Sequence, residues 1–110
     1  MIGNVSIKGA YINSYIGDGT SLTKTFTFNF EPALFILIRA VTNRKDSMIS
    51  MLIINGMPYP YSIDGGFYAN LKSTWSNNSI TLTASTSNVR DAIQGSNYTY
   101  YYMAIPKFNN

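Results

Sequence analysis

Apolar and polar residues alternate over much of the chain, most clearly in residues 22–30. Even positions there carry Phe26, Phe28 and Phe30, whereas odd positions carry threonine and asparagine. Because successive side chains of a strand point to opposite faces, this period of two predicts a half-buried strand with an aromatic face and a hydroxyl face. We expect the strand to end at Pro32, because proline has no N–H to donate to a sheet.

The next segment, residues 33–41, is apolar at nearly every position. Such a run predicts a strand that is covered on both faces. That strand is central in its sheet, or it lies against a second layer or a neighbouring subunit. Residues 48–54 are again apolar, and a tight turn at Asn55-Gly56 favours a strand there over a short helix.

Turn signals divide the rest of the chain into short segments. Two prolines one residue apart make residues 57–61 an extended edge or a loop, because neither can donate to a ladder. Residues 67–75, 79–84 and 98–105 predict three further strands. The first of these three would share one face among the following residues: Phe67, Ala69, Leu71 and Ser73.

The sequence does not decide the secondary structure of residues 88–95, because their apolar residues have helical spacing over a single turn only. The remaining pattern gives seven or eight short strands with a turn about every ten residues. It predicts an all-β fold, an antiparallel β-sandwich that is jelly-roll-like. The 110 residues form one domain, residues 1–110.

Composition narrows the classes of function. The chain has no cysteine and no histidine, which removes thiolate metal sites, disulfides and the commonest general base. The net charge of +3 is thinly spread, with one adjacent basic pair at Arg44-Lys45, so we expect no nucleic-acid partner. No run reaches the ~18 apolar residues of a membrane span. The N-terminal residues do not resemble a secretory signal, so export would need lysis or a dedicated machine.

The carboxylates predict structure rather than catalysis. Asp18, Asp46 and Asp64 lie in turns, where aspartate bonds its own backbone. The loop at residues 17–20 offers one carboxylate, too few for calcium. It lacks a third glycine and precedes a strand, so it does not suit a phosphate, and we interpret it as a hairpin turn. With no histidine to activate a serine, we expect no enzymatic activity and no cofactor.

Aromatic residues supply the remaining candidates for binding, with nine tyrosines and one tryptophan. Tyrosine and tryptophan combine apolar area with a polar tip, which suits sugar platforms and protein interfaces. The alternative for Trp75 is an ordinary place in the core or at its rim. The candidate glycan contacts are Tyr59, Tyr61, Tyr68, Trp75, Asn77 and Asn78.

The last strand carries large side chains on both faces. Such a strand is central in the sandwich or is covered by another subunit, and we consider the second credible for a domain this small. The candidate oligomer interface comprises Phe26, Phe28, Tyr98, Tyr100, Tyr101 and Tyr102.

A set of motif residues extends over residues 15–104: Tyr15, Gly17, Gly19, Thr20, Phe30, Pro32, the strand at 34–38, Ile80-Thr81-Leu82 and the tyrosine-rich segment at 97–104. In this layout the chain resembles small β-domains of bacteriophage tail and tail-fibre proteins and of phage-tail-like bacteriocins. The resemblance implies a non-enzymatic structural component of a fibre, tip or baseplate, located in a virion or phage-like particle.

The resemblance also implies partners. They are further copies of the chain, with a trimer favoured by analogy with fibres, together with other virion proteins and host surface polysaccharide. The alternative is a stand-alone bacterial carbohydrate-binding or adhesin module, and a third is an inactive accessory domain of a secreted enzyme. No catalytic residue is implied by the resemblance.

Overall fold

The structure is a computed structural model, and it describes residues 9–40, 50–62 and 66–107. Within those ranges the chain forms nine strands and one short helix. In chain order they are β1 (Tyr11–Ile16), β2 (Thr23–Thr27), β3 (Pro32–Ala40), β4 (Ser50–Ile54), β5 (Tyr61–Ser62), β6 (Gly66–Phe67), β7 (Leu71–Ser76), β8 (Ser79–Ala84), α1 (Ser87–Gln94) and β9 (Thr99–Pro106). Seven of the strands have five or more residues, and β5 and β6 have two each.

Two antiparallel sheets make up the fold. The larger has six strands in the order β1-β9-β3-β4-β5-β6, and the smaller has three in the order β2-β8-β7. They pack face to face around a core of alternate side chains, including Phe35 and Leu37 of β3 and Ile80 and Leu82 of β8, all fully buried. Burial at about 1.5–3 kcal/mol per side chain holds such a sandwich together. The predicted antiparallel all-β sandwich is confirmed.

Strand β3 is central, as one reading of its sequence expected. It pairs with β9 on one side and with β4 on the other. Its buried residues alternate with half-buried ones, so one face contacts the second sheet and the other does not. The apolar residues on that second face are therefore left without a layer from the described part of the chain.

Two segments depart from the predicted strands. The segment at 67–75 is divided, because Phe67 ends β6 in one sheet and Leu71 begins β7 in the other. Leu71 and Ser73 do share a buried face, but Phe67 is 68% exposed. Residues 88–94, whose secondary structure the sequence left undecided, lie in helix α1. The helix begins after Thr86, and the Thr86 hydroxyl accepts a hydrogen bond from the Val89 N–H.

Candidate functional site

The six-stranded sheet has an extensive apolar surface on the side that faces away from the smaller sheet. Strand registers decide which side chains lie there, because directly paired residues share a face. The inward residues, such as Phe35, Ile53 and Tyr100, are fully buried, so their neighbours along each strand point outward. We name this surface the outer face and define it by its twelve large apolar residues: Ile12, Ile16, Leu34, Ile36, Ile38, Leu52, Ile54, Tyr61, Phe67, Tyr101, Met103 and Ile105.

One row of the outer face crosses the whole sheet. Each residue in it is paired with the next, so the row passes through all six strands without a charged side chain. The row is Ile12, Met103, Ile36, Leu52, Tyr61 and Phe67. At its β6 end the rings of Tyr61 and Phe67 meet edge to face, with centroids 5.5 Å apart.

Much of this apolar surface is open to solvent. Exposure among the six most accessible outer-face residues ranges from 41% for Tyr61 to 69% for Ile12. The other outward positions of these strands are Ser14, Ala40, Ser50 and Thr99, so no described strand residue on this side carries a charge. Contiguous apolar surfaces of this extent are uncommon on monomeric soluble proteins and are typical of interaction sites.

A groove of about 180 Å³ lies in the outer face where β1, β9 and β3 run side by side. Its lining is almost entirely apolar. The lining residues are Ile12, Ile36, Ile38, Tyr101, Tyr102 and Met103. A shape of this kind accepts an apolar or aromatic side chain and offers little polar surface to orient a substrate.

The opposite surface of the sandwich has the reverse character. The outward residues of the three-stranded sheet are hydroxyl-bearing with one lysine, and some hydroxyls bond across strands, such as Thr25 with Thr81 at 2.9 Å. They are Thr23, Thr25, Thr27, Lys72, Thr74, Ser76, Ser79, Thr81 and Thr83. The outward side of the small sheet is therefore hydrophilic, whereas the outward side of the large sheet is apolar.

The tyrosine and glycine of the Tyr-x-Gly motif have a structural role. The ring of Tyr15 stacks on Tyr100 at 4.9 Å, and its hydroxyl donates to the Ile93 carbonyl at the end of α1. Gly17 donates its N–H to the Tyr98 carbonyl, and a Cβ on Gly17 would lie 2.1 Å from the Gly95 oxygen. These contacts fasten α1 to the β1 end of the large sheet.

The loop after Gly17 was predicted to be a hairpin turn, and this prediction was wrong. Strand β1 belongs to the six-stranded sheet and β2 to the three-stranded sheet, so the loop carries the chain from one sheet to the other. Its Asp18 accepts hydrogen bonds from the Ser21 hydroxyl and from the N–H groups of Thr20 and Ser21. These bonds, led by the Ser21 side chain, lower the pKa of Asp18 to about 2. The predicted role of Asp18 in bonding its own turn is confirmed.

The two other predicted turn aspartates, Asp46 and Asp64, lie outside the described residues, as does the basic pair Arg44-Lys45. Glu31 lies 3.6 Å from the Lys107 ammonium in an exposed ion pair. In the described ranges no group of three acidic, histidine or cysteine residues is placed to hold a metal ion.

The six candidate glycan contacts do not share one surface. Trp75 is half-buried against the core, and its indole N–H donates to the Met57 carbonyl at 3.0 Å. Tyr61 lies on the outer face of the other sheet, and Tyr68 packs against the core. Tyr59 is 39% exposed in the loop before β5. Asn77 and Asn78 form the turn between β7 and β8, where the Asn78 amide donates to the Phe28 carbonyl.

Three of the candidate interface residues need correction. Phe26, Phe28 and Tyr100 are buried within the chain itself. Phe26 and Phe28 pack against Phe35 of the large sheet, and Tyr100 stacks on Tyr15. Tyr98 is half-buried and holds its ring 5.0 Å from the Arg39 guanidinium. Tyr102 also points inward, although it reaches the groove. Only Tyr101 among the six candidates is an exposed residue of the outer face.

Sequence reasoning missed most of the outer face. Strand β1 was not predicted, so Ile12 and Ile16 were not candidates. Ile36 and Ile38 lie in a strand that was expected to be covered on both faces. That expectation was the one indication in the sequence that the second face of this strand needs a partner. The grouping of Ile36 and Ile38 with residues from five other strands depends on strand order, which no local pattern specifies.

The helix in the described part of the chain is too short to cross a membrane. Comparison of the chain with protein-family models, with curated proteins and with solved structures found no match.

Proposed function

We propose that the chain is a non-enzymatic structural component of a phage or phage-like tail, in a fibre, tip or baseplate, that assembles by covering its outer face with protein. The single observation that supports assembly is the uncharged apolar surface across all six strands of the large sheet. Its groove is almost free of polar groups, which suits packing better than chemistry.

The size of the surface supports assembly further. The exposed fractions of the six most accessible outer-face residues add up to about three and a half whole side chains, or about 700 Å² at roughly 200 Å² for a large apolar residue. The largest apolar patch of an ordinary monomer is about 300–600 Å². Covering about 700 Å² at about 25 cal/mol per Å² would contribute gross stabilisation of about 17 kcal/mol, before the cost of association is subtracted.

The tail assignment is supported by the sequence resemblance. The residues that carry the resemblance at one end, Tyr15 and Gly17, fasten α1 to the large sheet, which gives the motif a reason to be present in a folded module. The hydroxyl surface of the small sheet suits a domain that stands in extracellular fluid with its other surface in a particle.

Particles released from cells that carry the gene can test both parts of this proposal. We expect quantitative mass spectrometry of gradient-purified particles to find the chain at a fixed stoichiometry with tail proteins. The variant Ile12→Lys, which places a charge on the outer face at an edge strand, should be depleted from particles. The matched variant Thr74→Lys, on the hydroxyl surface, should be incorporated normally. Recovery of the native chain only in the free pool would refute the tail assignment.

A further inference from the structure

We propose that the partner on the outer face is a second copy of the chain, packed face to face across a two-fold axis, with Tyr101 of each copy in the groove of the other. This inference rests on the proposed assembly function and names its partner. It is carried by the area of the face, its lack of charge and the position of Tyr101 beside the groove.

The area fits a pair of identical domains. The six most accessible outer-face residues expose about 700 Å², and a stable interface of standard size takes about 800 Å² from each partner. The half-buried members of the face, including Leu34 and Ile38, add to the contact. The described strand residues of two copies therefore supply an interface close to standard size.

The chemistry of the face suits a copy of itself. An apolar surface without charge is complementary to another of the same kind, and two sheets pack face to face about 10 Å apart with interdigitating side chains. A two-fold axis uses the same patch on both subunits, whereas a trimeric ring needs two different complementary patches. The described outward strand positions form one such patch, which favours a pair over the trimer that the resemblance implies.

The groove and Tyr101 supply a specific anchor. Tyr101 is 50% exposed in β9, and it is paired with Ile38 on β3. The groove beside it has a volume of about 180 Å³, and an apolar cavity of about 150 Å³ is large enough for benzene. A two-fold axis close to Tyr101 would bring each ring over the partner's groove. Aromatic residues seated centrally in such pockets carry much of the energy of protein interfaces.

Sedimentation equilibrium tests the pair and its anchor. We expect the native chain to have twice the mass of one chain and Tyr101→Lys to dissociate with a constant at least about 30-fold higher. The matched variant Thr74→Lys should keep the native constant. Circular dichroism and a thermal melt verify that each variant folds. A pair that Tyr101→Lys does not weaken would overturn the inference. A native chain that sediments as a trimer or as a monomer would overturn it as well, whether or not the monomer binds lipid vesicles.

Cross-linking provides a second readout that does not require a destabilised interface. The chain has no cysteine, so a single introduced thiol has no background. We expect a short bis-maleimide to join two copies of Ser14→Cys, which is paired with Tyr101 on the outer face and keeps the anchoring ring, and to leave Thr81→Cys, on the hydroxyl surface, as single chains. Linkage at residue 81 alone would overturn the inference.

The two proposals fail in different ways. A native chain that is monomeric in solution but stoichiometric in particles would refute the two-fold pair and leave the assembly function standing. A two-fold pair in solution that is absent from particles would refute the tail assignment and leave the pair standing.

Discussion

Replacing Tyr100 with phenylalanine should destabilise the fold, because it removes two hydrogen bonds between the Tyr100 hydroxyl and backbone groups. The ring of Tyr100 is fully buried, and its hydroxyl donates to the Asp91 carbonyl at 2.6 Å and accepts from the Gly95 N–H at 2.7 Å. Phenylalanine keeps the ring and removes the hydroxyl. The stacked contact with Tyr15, at 4.9 Å between centroids, should therefore survive.

The magnitude follows from what each backbone group retains. The Asp91 carbonyl still accepts from the Arg39 guanidinium at 3.2 Å, so its loss is that of an ordinary hydrogen bond, about 0.5–1.5 kcal/mol. The Gly95 N–H would lose the partner shown for it, and an unsatisfied buried donor costs about 1–3 kcal/mol. We expect the free energy of unfolding to fall by about 1.5–4.5 kcal/mol in total. At roughly 4 °C per kcal/mol the melting temperature should fall by about 6–18 °C.

Urea denaturation followed by circular dichroism is the assay, with all proteins at one concentration because association would add to apparent stability. Tyr59→Phe is the matched control, since it removes the same atom from a partly exposed side chain and should change stability by less than about 0.5 kcal/mol. An unchanged unfolding midpoint for Tyr100→Phe would refute the view that this hydroxyl fastens α1 to the sheet.

Three further predictions concern the same region. Gly17→Ala should lower stability by more than about 2 kcal/mol, because its Cβ would lie 2.1 Å from the Gly95 oxygen, whereas Gly9→Ala, with nothing within 4 Å, should be close to neutral in the same melts. The pKa of Asp18 is lowered to about 2 from 3.8, so its carboxylate contributes stability that is complete above about pH 4 and is lost as the pH falls through 2. Asp18→Asn should remove that part of the acid dependence of stability. Identical acid titrations of the native and variant proteins would contradict this prediction. Burial raises the pKa of Tyr100 to about 12, so its neutral phenol contributes stability that is complete below about pH 10 and disappears as the pH rises through 12. Tyrosinate absorbance from this ring should therefore appear together with unfolding. Full ionisation of all nine tyrosines in a protein that remains folded would contradict this prediction.

Local alternation was sufficient to predict several strands. The period of two in residues 79–84 matches β8, and the tyrosine-rich segment matches β9. The turn at Asn55-Gly56 ends β4 as expected, with Gly56 at φ +95°. These predictions succeeded because strand periodicity and turn conformation are properties of neighbouring residues.

Sheet membership was beyond such reasoning. The alternating face that includes Phe26 and Phe28 is suitable for a core or for an interface, and only the packing of the second sheet buries it in the core. The pattern in residues 67–75 continues through a turn at Ala69-Asn70, so it gave no sign that the chain changes sheets there. The outer face was hidden for the same reason, because Ile12, Phe67 and Met103 share a row only through strand order.

Thiol labelling in the middle of the outer face tests most directly whether another protein copy covers it. Ile36→Cys places a thiol in the central row, and Thr81→Cys places one on the hydroxyl surface. We expect maleimide to label Ile36→Cys slowly at high protein concentration and faster on dilution, while Thr81→Cys reacts at one rate throughout. A rate for Ile36→Cys that does not depend on protein concentration, in a protein that remains folded, would contradict a self-covered outer face.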